Sequence, residues 1–134
     1  MFVVMLMVLL PFLASAQGDG GQVKRPRLNP VIQRLIVNMV SIEGGTFTMG
    51  ATSEQGGDAR VYEIPAHQVV LSSFSIGRYE VTQEEWQTVM GNNPSGFKGA
   101  RLPVEAVSWD DCEEFIRKLN SMTGQHFRLP TEAE

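Results

Sequence analysis

The sequence predicts an α+β fold in which short strands lead into capped helices. Two features indicate this class. In several segments apolar residues alternate with polar ones, which is the pattern of a half-buried strand. In others a Ser or Thr is followed three residues later by an acidic residue and then by apolar residues at helical spacing, which is the pattern of a capping box.

The stretch FSIGRYEVTQEEWQTVMG at residues 74–91 contains a complete strand-to-helix junction. Its first residues alternate as a strand, with a break at Gly77-Arg78. Thr82 and Glu85 then predict a capping box, in which each side chain binds the main-chain amide of the other residue. Val81 and Trp86 lie on either side of this cap, where they can close a hydrophobic staple.

A second junction repeats this arrangement. Ser108 and Asp111 predict a capped helix that ends at Gly124, as Gly91 ends the first one. Its apolar face is predicted to contain Trp109, Cys112, Phe115, Ile116 and Leu119. The spacing also predicts two i, i+4 ion pairs, Glu113 with Arg117 and Glu114 with Lys118.

Thr131 and Glu134 predict a third capping box, in the segment FRLPTEAE. A helix of three residues has no stability of its own, because nucleation fixes several residues before propagation adds hydrogen bonds. The sequence is therefore expected to be the N-terminal part of a longer domain.

The segments before the first junction predict further strands. Residues 39–49 alternate on both sides of Gly44-Gly45, which predicts a β-hairpin with a two-residue turn. Residues 51–65 are expected to form a surface loop, and residues 67–71 a strand. After the first helix, Phe97 is expected to fold back as an apolar anchor.

Three regions are predicted along the chain. Residues 1–16 are an apolar run ending in Ala-Ser-Ala, which is typical of a secretory signal peptide and predicts an exported protein. The run is too short for a spanning helix, so no stable membrane span is expected after cleavage. No Lys or Arg precedes it, and an uncleaved anchor or a misassigned start is the alternative. Residues 17–37 are expected to be a flexible lead-in, in which residues 31–36 could form a helical turn, and residues 38–134 form the folded part.

Charge and cysteine content exclude some classes of protein. The net charge is −4, and residues 35–134 hold 7 basic and 14 acidic side chains, a balance of −7. Such a body is a poor nucleic-acid binder, because phosphate contacts need clustered Lys and Arg. A single cysteine, Cys112, excludes an intramolecular disulfide within the sequence.

No catalytic, cofactor-binding or metal-binding residue is predicted. The two histidines, His67 and His126, are far apart in the sequence, whereas a metal site needs three or four ligands. Cys112 lies on an apolar helix face among acidic residues, which favours a buried, unreactive thiol. The remaining candidates match no calcium, phosphate-loop or nucleophile-elbow motif. They comprise the carboxylates Glu80, Glu84, Glu85, Glu105 and Asp110, the glycines Gly44, Gly45 and Gly50, and the serines Ser41, Ser72 and Ser73.

Four blocks together resemble the N-terminal half of the formylglycine-generating, sulfatase-modifying factor domain. They are MVSIEGGTFTMG (39–50), IPAHQVVLSSFSIGRYEVTQEEW (64–86), LPVEAVSWDDCEEFIRKLN (102–120) and FRLPTEAE (127–134). The resemblance implies a compact mixed domain related to C-type-lectin-like folds, with little regular secondary structure. It also implies that the helix predicted to begin in RLPTEAE continues in a complete domain.

Active members of that family oxidise a sulfatase cysteine to formylglycine, using a copper-binding cysteine pair and O₂. That pair and the calcium sites lie in the later half of the family domain, and Cys112 does not match the pair. The resemblance therefore implies no catalytic residue, copper or calcium within this sequence. Its expected partner is a sulfatase or another envelope protein.

Three hypotheses follow. The parent protein is an exported formylglycine-generating oxidase, an exported module of the same fold with a binding or structural role, or a gene fragment without independent function. For residues 1–134 alone, all three predict no catalytic activity.

Overall fold

A computed structural model of the chain describes residues 8–9, 28–51 and 63–134, and three helices and six short strands lie in this part. In chain order they are β1 (Val8–Leu9), α1 (Pro30–Val37), β2 (Met39–Ile42), β3 (Gly45–Met49), β4 (His67–Leu71), β5 (Phe74–Gly77), α2 (Gln83–Met90), α3 (Trp109–Thr123) and β6 (Phe127–Arg128). The mixture of helices and antiparallel strands agrees with the predicted α+β class. None of the described helices is long and apolar enough to cross a membrane.

The strands form two separate sheets. One has four strands in the order β2-β5-β1-β6, and the other pairs β3 with β4. In the first sheet, Val40 of β2 lies opposite Ile76 of β5. In the second sheet, Phe47 of β3 lies opposite Val69 of β4. All the pairings are antiparallel.

The predicted hairpin at residues 39–49 is wrong, because β2 and β3 belong to different sheets. Neither Gly44 nor Gly45 is among the described glycines with positive φ, whereas the expected tight turn requires positive φ. Gly44 instead lies close to the connection between β4 and β5. A Cβ atom on Gly44 would lie 2.5 Å from the carbonyl oxygen of Leu71, and its amide donates to Ser73 Oγ over 3.0 Å. This glycine permits a crossing of two main chains.

The prediction of a flexible lead-in at residues 17–37 is wrong for the last part of this range, because Pro30–Val37 form helix α1. Asn29 caps the helix by accepting a hydrogen bond from the amide of Val31 over 2.8 Å. Ile32 and Leu35 are buried in the core, so the folded part begins before residue 38. The alternative of a helical turn at residues 31–36 agrees with this element. Residues 17–27 lie outside the described residues.

Helices α2 and α3 form as the sequence predicts. Thr82 and Ser108 are the caps, and both hydrogen bonds of each capping box are present. The helices end at Gly91 and Gly124, which have φ of 84° and 67°. Burial of the staple pair is also confirmed, since Val81 and Trp86 are 3% and 2% exposed. Local sequence therefore determines both the start and the end of each helix.

The main core lies between the three helices. The rings of Trp86 and Phe115 stack at its centre with centroids 5.1 Å apart. The predicted apolar face of α3 is buried except for Trp109, which is 57% exposed. Trp109 is the first residue of the helix and projects beside Leu129 and Pro130 rather than into the core. Around these rings pack Ile32, Leu35, Val81, Val89, Val104, Val107, Cys112, Ile116, Leu119 and Phe127.

Two smaller predictions are also corrected. Glu114 pairs with both Arg117 and Lys118, at 2.6 Å and 3.5 Å, and takes the place predicted for Glu113 beside Arg117. Phe97 is 80% exposed, so it is not an apolar anchor. Its main chain is fixed instead, since its amide donates to Glu105 Oε1 over 2.9 Å.

The two ends of the described chain contain unexpected contacts. Val8 and Leu9, within the predicted signal peptide, form the strand between β5 and β6, and Val8 is 0% exposed. The Thr131–Glu134 capping box is present, although no helix begins there. Glu134 also pairs with Arg128. Most of the predicted loop at residues 51–65 lies outside the described residues.

Candidate functional site

A cleft in the described part of the molecule opens beside the strand-to-helix junction at residues 77–85. Its volume is about 750 Å³, within the range of small-molecule and peptide sites. Three separate segments line it: the end of α1 with the start of β2, the junction from β5 to α2, and residues 101 and 103 of the loop before α3. We refer to it as the junction cleft.

One wall of the junction cleft is closed by an ion pair. Arg34 Nη2 of α1 lies 2.6 Å from Glu84 Oε2 of α2. Both side chains are partly exposed, so the pair contributes little stability, about 0–1 kcal/mol. Its main consequence is that Arg34 and Glu84 are already partnered and present little net charge to a ligand.

The first turn of α2 does not provide an anion site in the cleft. The amide of Gln83 donates to the Leu102 carbonyl over 2.9 Å, and that of Glu84 donates to the Ala100 carbonyl over 3.0 Å. The carboxylate of Glu85 accepts from the Thr82 amide over 2.8 Å. The groups that usually bind anions at a helix N-terminus are therefore occupied by the protein itself.

Two arginines of the cleft are free to bind a ligand. The side chains of Arg78 and Arg101 line the cleft and form no ion pair with any residue that the structure describes. Tyr79 also lines the cleft and is 64% exposed. Glu80 and Glu85 are the other lining charges without an ion partner in the described ranges, and Glu85 is 7% exposed and held by Thr82. The cleft thus presents two guanidinium groups, one carboxylate and one aromatic ring to solvent.

A buried amide fixes the loop that carries Arg101. Gln83 is 1% exposed, and its Nε2 donates to the carbonyls of Phe97 and Pro103 over 2.8 Å and 3.2 Å. Its Oε1 accepts from Asn93 Nδ2 over 2.9 Å and from the Gly99 amide over 3.0 Å. All the hydrogen-bonding capacity of this amide is used, so the loop is anchored at both ends of residues 93–103.

The candidates weighed from sequence are not brought together as a catalytic group. Glu80, Glu84 and Glu85 line the junction cleft, whereas Glu105 binds the Phe97 amide outside it. Asp110 is exposed at the start of α3. The sequence does not predict Arg34, Arg78 and Arg101 as site residues, because no local motif connects residues from three separate segments.

The thiol of Cys112 is unsuited to nucleophilic chemistry. It is 0% exposed in the core, and burial, with the nearby charge of Asp111, raises the pKa of the thiol above its usual range. A buried, protonated thiol is a poor nucleophile, because the thiolate is the reactive form. The predicted role of Cys112 as a buried apolar residue is confirmed.

The described residues do not fit the copper and calcium that the resemblance implies for the later half of the family domain. Copper(I) favours soft thiolate ligands, and the chain contains the single buried thiol of Cys112. Within the described ranges, no three His, Cys, Asp or Glu side chains lie close enough to hold a metal ion. His67 and His126 are both exposed at separate positions.

Comparison with known proteins agrees with the resemblance found in the sequence. The sequence model of the sulfatase-modifying factor enzyme 1-like domain matches residues 25–134. A protein of Paenibacillus barcinonensis called Chaperone protein LppX is 45% identical over 78 residues, which cover 58% of this chain. The same 78 residues cover 24% of the relative, so this chain spans about a quarter of the length of the relative that it matches. No solved structure matches the chain. The chain belongs to the sulfatase-modifying factor family, whose domain extends over its residues 25–134.

Proposed function

We propose that this chain is the client-binding part of an exported sulfatase-modifying factor family protein, and that the junction cleft binds an acidic segment of another polypeptide. One observation carries the proposal. Arg78 and Arg101 line the cleft without an ion partner among the described residues, and the exposed Tyr79 lines the same cleft.

The chemistry of these groups favours a carboxylate. A guanidinium group presents its donors in a fork that matches the two oxygens of a carboxylate. A tyrosine ring adds contact area at a low entropic cost, which suits binding of a polypeptide main chain. Glu80 and Glu85 oppose a strongly anionic ligand, and the net charge of −4 opposes nucleic acid. An extended peptide with single acidic side chains fits this balance of charge.

The identity of the client is proposed from the family and from the relative. Family membership favours a sulfatase, or another envelope protein, as the client. The relative from Paenibacillus barcinonensis is called a chaperone protein, and a chaperone also acts on other polypeptides. The apolar run of residues 1–16 favours export of the protein. A C-type-lectin-like architecture for the complete domain, implied by the resemblance, is part of the same proposal.

Peptide binding tests the role of the cleft. The probe is a fluorescent peptide that alternates Glu with apolar residues, and its matched control has Gln in place of Glu. We expect the Glu peptide to bind more tightly, and to weaken at about 0.5 M salt, since exposed charges are then screened. Replacing both arginines, Arg78→Ala with Arg101→Ala, should weaken binding roughly tenfold or more.

Arg117→Ala is the control variant, because Arg117 is exposed on α3 and does not line the junction cleft. It should bind the Glu peptide as the unsubstituted chain does. Equal binding of the Glu and Gln peptides, or an equal loss in Arg117→Ala, would exclude an acidic client at this cleft.

Oxidation of a sulfatase cysteine to formylglycine is the second candidate function, for the whole protein of which this chain forms a part. Membership of the family over residues 25–134 favours it. The test is O₂ consumption by the whole protein with copper and a cysteine-containing sulfatase peptide. Cys112→Ala should leave that turnover unchanged, because the buried thiol takes no part. A whole protein that folds but consumes no O₂ would leave client binding as the function.

A further inference from the structure

Strand β1 fills a space between two strands that do not touch each other. Val8 lies opposite Ile76 of β5 on one side and opposite Arg128 of β6 on the other. Since β5 and β6 are both antiparallel to β1, they run parallel to each other. Two strand spacings separate them by about 10 Å. We call this space the β1 slot.

The two walls of the β1 slot have partners other than β1. β5 pairs with β2 along all four of its residues, from Phe74 to Gly77. β6 is held from its other side by α3, because Asn120 Nδ2 donates to the Phe127 carbonyl over 2.9 Å and Asn120 Oδ1 accepts from the Phe127 amide over 2.7 Å. The Asn120 amide thus replaces a neighbouring strand. A slot with walls held in this way is preformed, which lowers the entropic cost of binding.

The present occupant indicates what the slot accepts. Val8 is 0% exposed, and the sequence from residue 2 to residue 16 contains no charged side chain. Among the described elements, β1 alone lies outside the family match at residues 25–134. The family domain therefore holds here an apolar strand that is not part of it. An empty slot would leave main-chain donors and acceptors of β5 and β6 unpaired, and such edges bind extended chains.

We propose that the β1 slot is a strand-accepting site for an extended apolar segment of another polypeptide, and that Val8–Leu9 occupy it until residues 1–16 are removed. The vacancy rests on the export proposed above and is proposed for residues 1–134, whereas the geometry of the slot does not depend on export. The site is distinct from the junction cleft, because it recognises main chain and apolar side chains rather than carboxylates.

The experiment uses residues 1–134 with a specific protease site inserted after Ala16, so that residues 1–16 can be cut from the folded protein. The probe is a fluorescent peptide with the sequence of residues 5–12, MLMVLLPF, and added terminal lysines for solubility. We expect the cut protein to bind this peptide roughly tenfold or more tightly than the uncut protein, whose own strand is tethered in the slot.

Arg128 provides a matched pair of variants. Alternation along a strand directs the main-chain groups of Arg128 towards β1, because those of Phe127 face Asn120. Arg128→Ala and Arg128→Pro both lose the ion pair with Glu134, but Pro alone lacks the amide donor. The Pro variant should therefore bind the peptide roughly tenfold more weakly than the Ala variant.

A peptide with Pro at the position of Val8 tests the same main-chain contact without altering the protein, and should also bind roughly tenfold more weakly. Equal binding by cut and uncut protein, or by both peptides, would overturn the proposal. Dimers of the cut protein that the peptide cannot dissociate would assign the slot to a second copy instead. The mass of the exported protein tests the vacancy separately: retention of residues 1–16 would refute export-linked release, whatever the peptide shows.

Discussion

At the scale of the residue, Gln83 is the polar side chain that makes the junction cleft possible. Its amide is buried at the first position of α2, where an apolar residue would leave four loop groups without partners. The capping pattern places residue 83 in the first turn of a helix but says nothing about the loop it binds. That role depends on residues 10 to 20 positions later in the chain, which no local pattern reveals.

Gln83→Ala is expected to lower the free energy of unfolding by about 3 kcal/mol, because it leaves buried donors and acceptors unsatisfied. Gln87→Ala is the control, since Gln87 is exposed on the same helix and its replacement should change stability by no more than about 0.5 kcal/mol. Urea denaturation of the two variants measures the difference. Similar stabilities would contradict an anchoring role for Gln83.

Glu134 provides a pH-dependent contact at the same scale. Hydrogen bonding to Arg128, assisted by Thr131, lowers the pKa of the Glu134 carboxyl from 4.5 to about 2, against the opposing effect of burial. The ionised form therefore stabilises the folded chain above about pH 4.5, and this contribution is lost as the pH falls through about 2. Since the pair is partly screened by solvent, the contribution is about 1 kcal/mol.

Glu134→Gln should thus be less stable than the unsubstituted chain at pH 7 by about 1 kcal/mol, and equally stable near pH 2. Glu132→Gln should match the unsubstituted chain at both pH values, because Glu132 is exposed and forms no ion pair with any described residue. Thermal unfolding at a series of pH values measures both variants. A stability deficit of Glu134→Gln that persists at pH 2 would show that the carboxylate charge is not its cause.

At the scale of the element, helices were easier to predict than strand partners. A capping box involves residues three positions apart, so Thr82 and Ser108 specify their helices locally. The strand pattern at residues 39–49 was also read correctly as two strands. The partners of these two strands were not predicted correctly, because alternation identifies a strand but not the sheet that it joins. β2 pairs with β5, some 35 residues later in the chain.

The close approach of two main chains at Gly44 predicts that substitutions at Gly44 and Gly45 differ in their effect on stability. Gly44→Ala should be destabilising by more than about 2 kcal/mol, because the new Cβ would lie 2.5 Å from the Leu71 carbonyl oxygen and 2.7 Å from the Ser73 amide nitrogen. Gly45→Ala should have an effect within about 0.5 kcal/mol, since no atom lies within 4 Å of its Cβ position. In a tight Gly-Gly turn, substitution of either glycine by Ala would lower the stability. Equal denaturation midpoints of the two variants would therefore support the predicted hairpin.

At the scale of the whole molecule, the core was largely predictable and the junction cleft was not. The apolar faces of α2 and α3 follow from helical spacing, and Trp86, Phe115 and Leu119 are buried accordingly. The junction cleft gathers Arg78 and Arg101 from segments with no common motif. The sequence predicts at most a helical turn where α1 lies, because its eight residues follow a stretch rich in Gly, Pro and basic residues. Short helices derive their stability from packing, which this local pattern does not show.

Packing of α1 onto the core can be measured directly. Ile32 is 0% exposed, so Ile32→Ala should lower the free energy of unfolding by about 2–4 kcal/mol through lost burial and a residual cavity. Val37 is 80% exposed on the same helix, and Val37→Ala should change stability by no more than about 0.5 kcal/mol. The fluorescence of Trp86, in a Trp109→Phe background, reports unfolding of the core that α1 covers. If Ile32→Ala unfolds at the same urea concentration as Val37→Ala, α1 is not part of the cooperative unit, and Arg34 would then not form a fixed wall of the junction cleft.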